Sequence, residues 1–173
     1  MIDVLVPNLY KGKNDMYMQR ENNLQSRMDA VQFLIKNETQ KIITYQYCGN
    51  VNGFTKQAYS GIGCVKPKHK AGTHWLKGDY LYVADRSLRL FVKMFTFQKL
   101  DRVLHYTEYH KLCETYMMLF PQDDEMSTTR MHYFVDSIRR RDVIVHESCK
   151  VCKKPFVTHR DKSNKRVCSI CEH

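Results

Sequence analysis

Four of the chain's seven cysteines fall at Cys149, Cys152, Cys168 and Cys171, a C-x2-C pair, a spacer of fifteen residues and a second C-x2-C pair. A two-residue gap lets both sulfurs of a knuckle reach one ion, and zinc asks for four ligands at the corners of a tetrahedron. The spacer is long enough to form a hairpin that returns the second knuckle to the first. Two disulfides would need an oxidising compartment, which nothing in the chain suggests. A redox C-x-x-C would need no second pair and would adjoin a βαβ unit, which is absent. The spacing therefore predicts one structural Zn2+ per chain, held by Cys149, Cys152, Cys168 and Cys171. With thiolates at all four corners, no place is left for a reactive water, which argues against metal catalysis. His159 and His173 lie in or just after this segment and are expected at the surface or beside the ligands, not on the ion. Cys48, Cys64 and Cys113 stand in separate apolar contexts and are read as small buried side chains.

Charge is the next constraint. Twenty-eight Lys and Arg against eighteen Asp and Glu give a net charge of +10. An excess of this size implies an anionic partner, and nucleic acid is the commonest one for a cytosolic protein. The charge is also concentrated. From Cys149 onward there are seven basic and two acidic residues, so this stretch carries half of the net charge. A second cluster, Lys66, Lys68, Lys70 and Lys77, has no acid within it. Lys66, Lys68 and Lys70 of this loop, and Lys150, Lys153, Lys154, Arg160, Lys162, Lys165 and Arg166 of the cysteine segment, suit phosphate contacts that position a protein without reading sequence. The alternative is that both segments are solvated faces.

Before the cysteines the chain reads as helical, so the expected fold class is mostly α, with a small C-terminal four-cysteine zinc ribbon. Leu24, Met28, Val31, Leu34 and Ile35 recur at helical spacing and predict a helix over roughly 20–36. Asn37 is placed to cap a second helix that stops at Gly49, and Asn50 to cap a third. Three short helices of this kind have helix-turn-helix proportions. If the third enters a groove, Asn52, Thr55, Lys56 and Gln57 are the residues placed to read bases. The stretch 61–78 breaks the rhythm and reads as a basic loop pinned by Trp75. Helices follow with Leu88, Phe91, Val92 and Phe95, opening at Asp85, then with Leu100, Val103, Leu104, Tyr109, Leu112, Tyr116 and Leu119, then with Met131, Phe134, Val135 and Ile138. The β-branched run Val143 to Val145 leads into Cys149 as the first strand of the ribbon. The chain thus divides into a helical DNA- and partner-binding part, 1–145, and the ribbon, 146–173. Tyr106, Tyr109, Tyr116, Met117, Met118 and Phe120 exceed the needs of one small core, so some are expected to face a partner.

Other classes fall away. No apolar run approaches the roughly 18 residues of a membrane span, and residues 1–10 are too short and polar for a signal peptide; a cytoplasmic location is expected. The chain lacks G-x4-G-K-[ST], G-x-G-x-x-G and H-E-x-x-H. His74, Asp79 and Asp85 put no defined pair on one helical face. No catalytic residue is assigned, and an enzyme is not expected.

The segment Ser148-Cys149-Lys150-Val151-Cys152, followed by Phe156-Val157-Thr158-His159 and Val167-Cys168-Ser169-Ile170-Cys171, resembles the C-terminal zinc site of the FlhC family. The resemblance continues upstream through Ala30–Ile35, Phe54–Tyr59, Lys66-Pro67 to Trp75, and Thr128-Thr129-Arg130, spanning roughly residues 25–172. Only the cysteines and the Phe-x-Thr-His stretch are specific; the rest is diffuse. FlhC is the larger subunit of a flagellar master transcriptional activator, and related activators serve conjugative mobile elements. The resemblance implies a DNA-binding activator subunit that works with a small helical FlhD-like partner. It implies a heterohexamer of four D-type and two C-type chains, acting at promoters through RNA polymerase. The rival from another class is a zinc-ribbon accessory subunit of a nucleic-acid-processing enzyme.

Overall fold

The computed structural model describes residues 11–62, 69, 72–77, 80–162 and 164–172. Over these the chain is mostly helical: seven α-helices and one two-stranded sheet. Helix α1 is Lys11–Lys36, α2 Lys41–Cys48, α3 Phe54–Ile62, α4 Leu81–Met94, α5 Tyr106–Leu119 and α6 Thr128–Arg139. Strands β1, Val143–His146, and β2, Phe156–His159, follow, and α7, Ser169–Glu172, closes the described chain.

Of the stripe that its spacing predicts, the first helix buries Val31 and Leu34 fully, with Ala30 beside them, while Leu24, Met28 and Ile35 pack half-buried against the same core. It starts earlier than expected. Asn37 closes this helix and does not open the next: its Nδ2 donates to the Phe33 carbonyl at 2.8 Å. Helix α2 begins after Gln40, which gives no side-chain cap. It ends at Gly49, where φ is +67° and the amide donates to Tyr45 O at 2.9 Å. A side chain there would be strained by that φ and would also press on the Arg27 guanidinium, 3.1 Å from the Cβ position.

A 3-10 turn, Val51–Gly53, feeds α3, and Asn50 Oδ1 accepts from Lys56 N at 3.3 Å. The buried face of α3 carries Thr55 and Tyr59. Thr55 Oγ1 donates to Gly49 O at 2.8 Å, so this residue belongs to the core and not to a base-reading face. Tyr59 OH donates to Thr39 O at 3.0 Å and also bonds Thr44 Oγ1 at 2.7 Å, tying α3 to α2. Both polar groups find partners, as burial requires.

Helix α4 packs against α5, β2 and α7. It opens four residues before Asp85, so Asp85 lies inside the helix and on its buried face. The long helix expected from Leu100 is shorter than its apolar pattern. Leu100 sits in a 3-10 turn, Phe97–Asp101, and α5 starts only at Tyr106. Glu108 explains the break: its Oε2 accepts from His105 N at 3.0 Å, satisfying a helix-start amide. Its Oε1 takes Lys99 and Arg102, both at 2.7 Å, anchoring the preceding turn.

The tyrosines of α5 serve this chain's own core. Tyr109 OH donates to Thr128 O at 2.6 Å, Tyr116 OH to Asp123 Oδ2 at 2.6 Å and Tyr106 OH to Asn23 Oδ1 at 2.7 Å. They are therefore not partner-facing; Met118 and Leu119 are the exposed apolar residues of α5. Trp75 is buried and packs near Phe134, with the Arg130 guanidinium 5.3 Å from its ring. Ser127 caps α6 by accepting from Arg130 N at 3.2 Å, and Met131, Phe134, Val135 and Ile138 are all buried.

The chain then turns into the antiparallel pair β1–β2, in the register Val143↔His159, Ile144↔Thr158, Val145↔Val157 and His146↔Phe156. Val143 and Val157 belong to the main core, whereas Phe156 packs with Cys149 and Cys168 in a separate small cluster. One hairpin thus reaches both. Among the described residues no helix is long and apolar enough to cross a membrane.

Candidate metal centre

The hairpin delivers the first cysteine pair. Just past β1 the chain makes a tight knuckle in which Lys153 N donates to Cys149 O at 3.0 Å and Cys149 N to Lys154 O at 2.8 Å. Lys153 takes a left-handed φ of +58° to close it. The second knuckle leads into α7, with Cys171 N donating to Cys168 O at 3.0 Å. Lys150 N donates to Arg166 O at 2.9 Å and holds the two knuckles together.

The result is that the sulfurs of Cys149, Cys152, Cys168 and Cys171 all lie within 4.8 Å of one another. None forms a disulfide. Cys152 Sγ and Cys168 Sγ are 3.7 Å apart. A tetrahedron with zinc–sulfur bonds of about 2.3 Å has edges of about 3.8 Å, so this spacing fits a shared ion. Cys149 and Cys168 are fully buried and Cys152 and Cys171 half-buried.

Electrostatics favour the same use. Desolvation works against ionising Cys149, but the amides of Cys168, Cys152 and Val151 outweigh it and bring the thiol down to about 6. One of these, Cys168 N, donates to Cys149 Sγ at 3.3 Å. Cys171 moves the other way, up to about 12, because the sulfurs of Cys168 and Cys152 crowd it. Four sulfurs this close cannot all carry charge by themselves, and a cation between them removes the conflict. The cluster can hold a metal ion.

Two side chains that the sequence reading did not assign to the site reach it from α4. Asp85 is fully buried and accepts from Val157 N at 2.8 Å, from Ser169 N at 2.9 Å and from Ser169 Oγ. Burial still raises its carboxyl above the ordinary aspartate value, against those bonds and the nearby Arg89 charge. Arg89 donates through Nη2 to Cys168 Sγ at 3.1 Å and Cys152 Sγ at 3.4 Å, and through Nε to Pro155 O at 3.1 Å. A signal was present: an acid at position 85 falls on the apolar stripe that includes Leu81 and Leu88. A charge on a buried stripe needs a partner.

The remaining candidates are dispersed. Lys150, Lys153, Lys154, Arg160 and Arg166 are exposed on the cysteine segment, while Lys165 is half-buried and paired with Glu172. Lys162 ends the 3-10 turn Arg160–Lys162. His159 is half-buried, 3.1 Å from Asp161, and lies outside the sulfur cluster. Asn52, Lys56 and Gln57 are exposed at and just before the start of α3. Asn52 has φ +47° and sits in the turn, off the helix proper. Lys66, Lys68 and Lys70, and Cys64, lie outside the described residues.

Fold and site together define a mostly helical protein with a four-cysteine cluster, built on a short hairpin, that can hold a metal ion. No protein-family model, no curated protein and no solved structure matches the chain.

Proposed function

We propose that the chain is the zinc-stabilised DNA-binding subunit of an FlhC-like transcriptional activator. The observation that carries this reading is the cysteine segment itself: a closed four-sulfur cluster, with five exposed basic residues (Lys150, Lys153, Lys154, Arg160, Arg166) around it. Four thiolates in this geometry suit a tetrahedral zinc ion, and a shell they fill leaves no position for substrate. The ion's role is then to shape the segment, and the segment's role is to present charge to phosphates. Asn52, Lys56 and Gln57, exposed on α3 and the turn before it, contact base edges in operator DNA in this reading. In this reading the chain works in the cytoplasm with an FlhD-like helical subunit, as a heterohexamer of four D-type and two C-type chains, and recruits RNA polymerase to flagellar or conjugative-transfer promoters. The exposed apolar end of α5, Met118 and Leu119, offers contact area for such a partner.

Titration of the chain, with and without an FlhD-like subunit, against operator and random duplexes at several salt concentrations tests the proposal. Replacing Lys154 or Arg166 by Ala is expected to weaken both duplexes alike and to lower the salt slope by about 0.9 per lost contact. Gln57→Ala is expected to cost about 1–3 kcal/mol at particular base pairs only. Salt slopes unchanged by every ribbon substitution would mean that the segment does not touch DNA.

A further inference from the structure

The metal cluster is tied to the helical body by one face of α4. Asp85 and Arg89 are four residues apart and so project from the same side of the helix. Asp85 holds backbone amides on both halves of the site: Val157, just beyond the first cysteine pair, and Ser169, between the cysteines of the second. Arg89 goes further and touches ligand atoms, one sulfur from each pair, Cys152 and Cys168. A third bond, to Pro155 O, fixes the guanidinium plane so that these donors point at sulfur.

The chemistry gives this arrangement a task. Four thiolates around a divalent ion leave two net negative charges, in a site where two of the sulfurs are fully buried. A guanidinium is always protonated, so Arg89 offsets one of those charges permanently. Its N–H donors also draw electron density from two of the four sulfurs. Partners outside the ring of ligands orient the ligands and tune the ion.

We infer that Arg89 is a positioning and charge-compensating residue of the metal centre, so that α4, and not the hairpin alone, sets how firmly the ion is held. The inference rests on the reading of the cluster as a zinc site. Lys93, exposed on the same helix, serves as the control for a change in charge that touches no sulfur.

The experiment measures zinc affinity and zinc release for the full chain, by competition with a chromogenic chelator. Arg89→Met is expected to weaken zinc binding about 10- to 100-fold, the usual effect of removing such a partner, and to speed release. Arg89→Lys, which keeps the charge but not the fork, should fall between it and the native chain, and Lys93→Met should change nothing. Cobalt loading gives a readout that a purely structural role would not move. Loss of N–H donors to sulfur should shift the sulfur-to-cobalt charge-transfer band to longer wavelength in Arg89→Met, and partly in Arg89→Lys. If Arg89→Met does not fold, the Arg89→Lys band and affinity decide alone. Native affinity, release and band position in the Arg89 variants would overturn the inference. A native chain that binds no zinc would instead overturn the reading beneath it.

Discussion

The helical body and the cysteine segment hold themselves together by different means. The body buries Leu34, Ile43, Leu88, Phe91, Leu112, Phe134 and several tyrosines in one continuous core. The segment's own apolar cluster is Cys149, Phe156 and Cys168, with Cys152, Val167, Ile170 and Cys171 packed against it. Apolar burial at about 25 cal/mol per Å2 can carry the first but not the second. Modules this small depend on a metal or a cross-link. In the segment the sulfur cluster stands in for a core, and Asp85 and Arg89 are the points at which the body supports it.

Loss of one of the four thiols should separate the two regions most sharply. Cys149→Ser or Cys168→Ser is expected to release zinc and unfold the segment, since such sites supply about 10–16 kcal/mol of apparent binding energy. Metal analysis should show the loss, while circular dichroism should retain the helical signal of the body. Metal retained in both variants would show that the cluster is not the site. The reverse experiment strikes the body. Phe134→Ala is expected to cost about 3–5 kcal/mol, read by chemical denaturation, with the metal content of the folded chain unchanged.

Asp85→Ala probes the joint between the two regions. It leaves the amides of Val157 and Ser169 without their acceptor, at about 1–3 kcal/mol for each buried group. The loss should appear both in thermal unfolding of the body and in protease sensitivity of the segment. A loss confined to one of them would mean that the regions are less coupled than their hydrogen bonds indicate.

The smallest effect concerns pH within the body. Burial holds His132 below the ordinary histidine value of 6.5, although Asp136 pulls it upward. The unfolded chain therefore binds the proton more readily than the folded one. By linkage its contribution to stability is intact above 6.5 and declines as pH falls through 6.5 toward the depressed folded value. The melting temperature of His132→Gln should fall less than that of the native chain over this acid interval. Equal slopes would place His132 outside the acid response.

Elements with a strong local signal were legible in the sequence. The stripe Val31 and Leu34, the last long helix with Met131, Phe134, Val135 and Ile138, the strand that begins with Val143 to Val145 and the four clustered cysteines depend on periodicity, β-propensity or ligand spacing, which are local properties. Boundaries were less so. The apolar run from Leu100 continues at helical spacing, yet Glu108 captures the His105 amide and starts the helix late. Side-chain hydrogen bonds decide such points, and periodicity does not record them.

Periodicity, composition and cysteine spacing are enough to make the chain mostly helical, to concentrate its charge and to let four thiols meet at one point. Only the tertiary structure decided who supports that point and which polar residues stay exposed. Asp85 and Arg89 lie at least sixty residues before the groups they bind, a distance over which no local rule operates. Thr55 and the tyrosines of α5 look as available as their neighbours until packing buries them and gives each hydroxyl an oxygen acceptor, as near in the chain as Gly49 O for Thr55 and as far as Asn23 Oδ1 for Tyr106. The physical reason is the same throughout. A buried polar group is placed by the partner that satisfies it, and that partner is brought near by the fold, not by the chain.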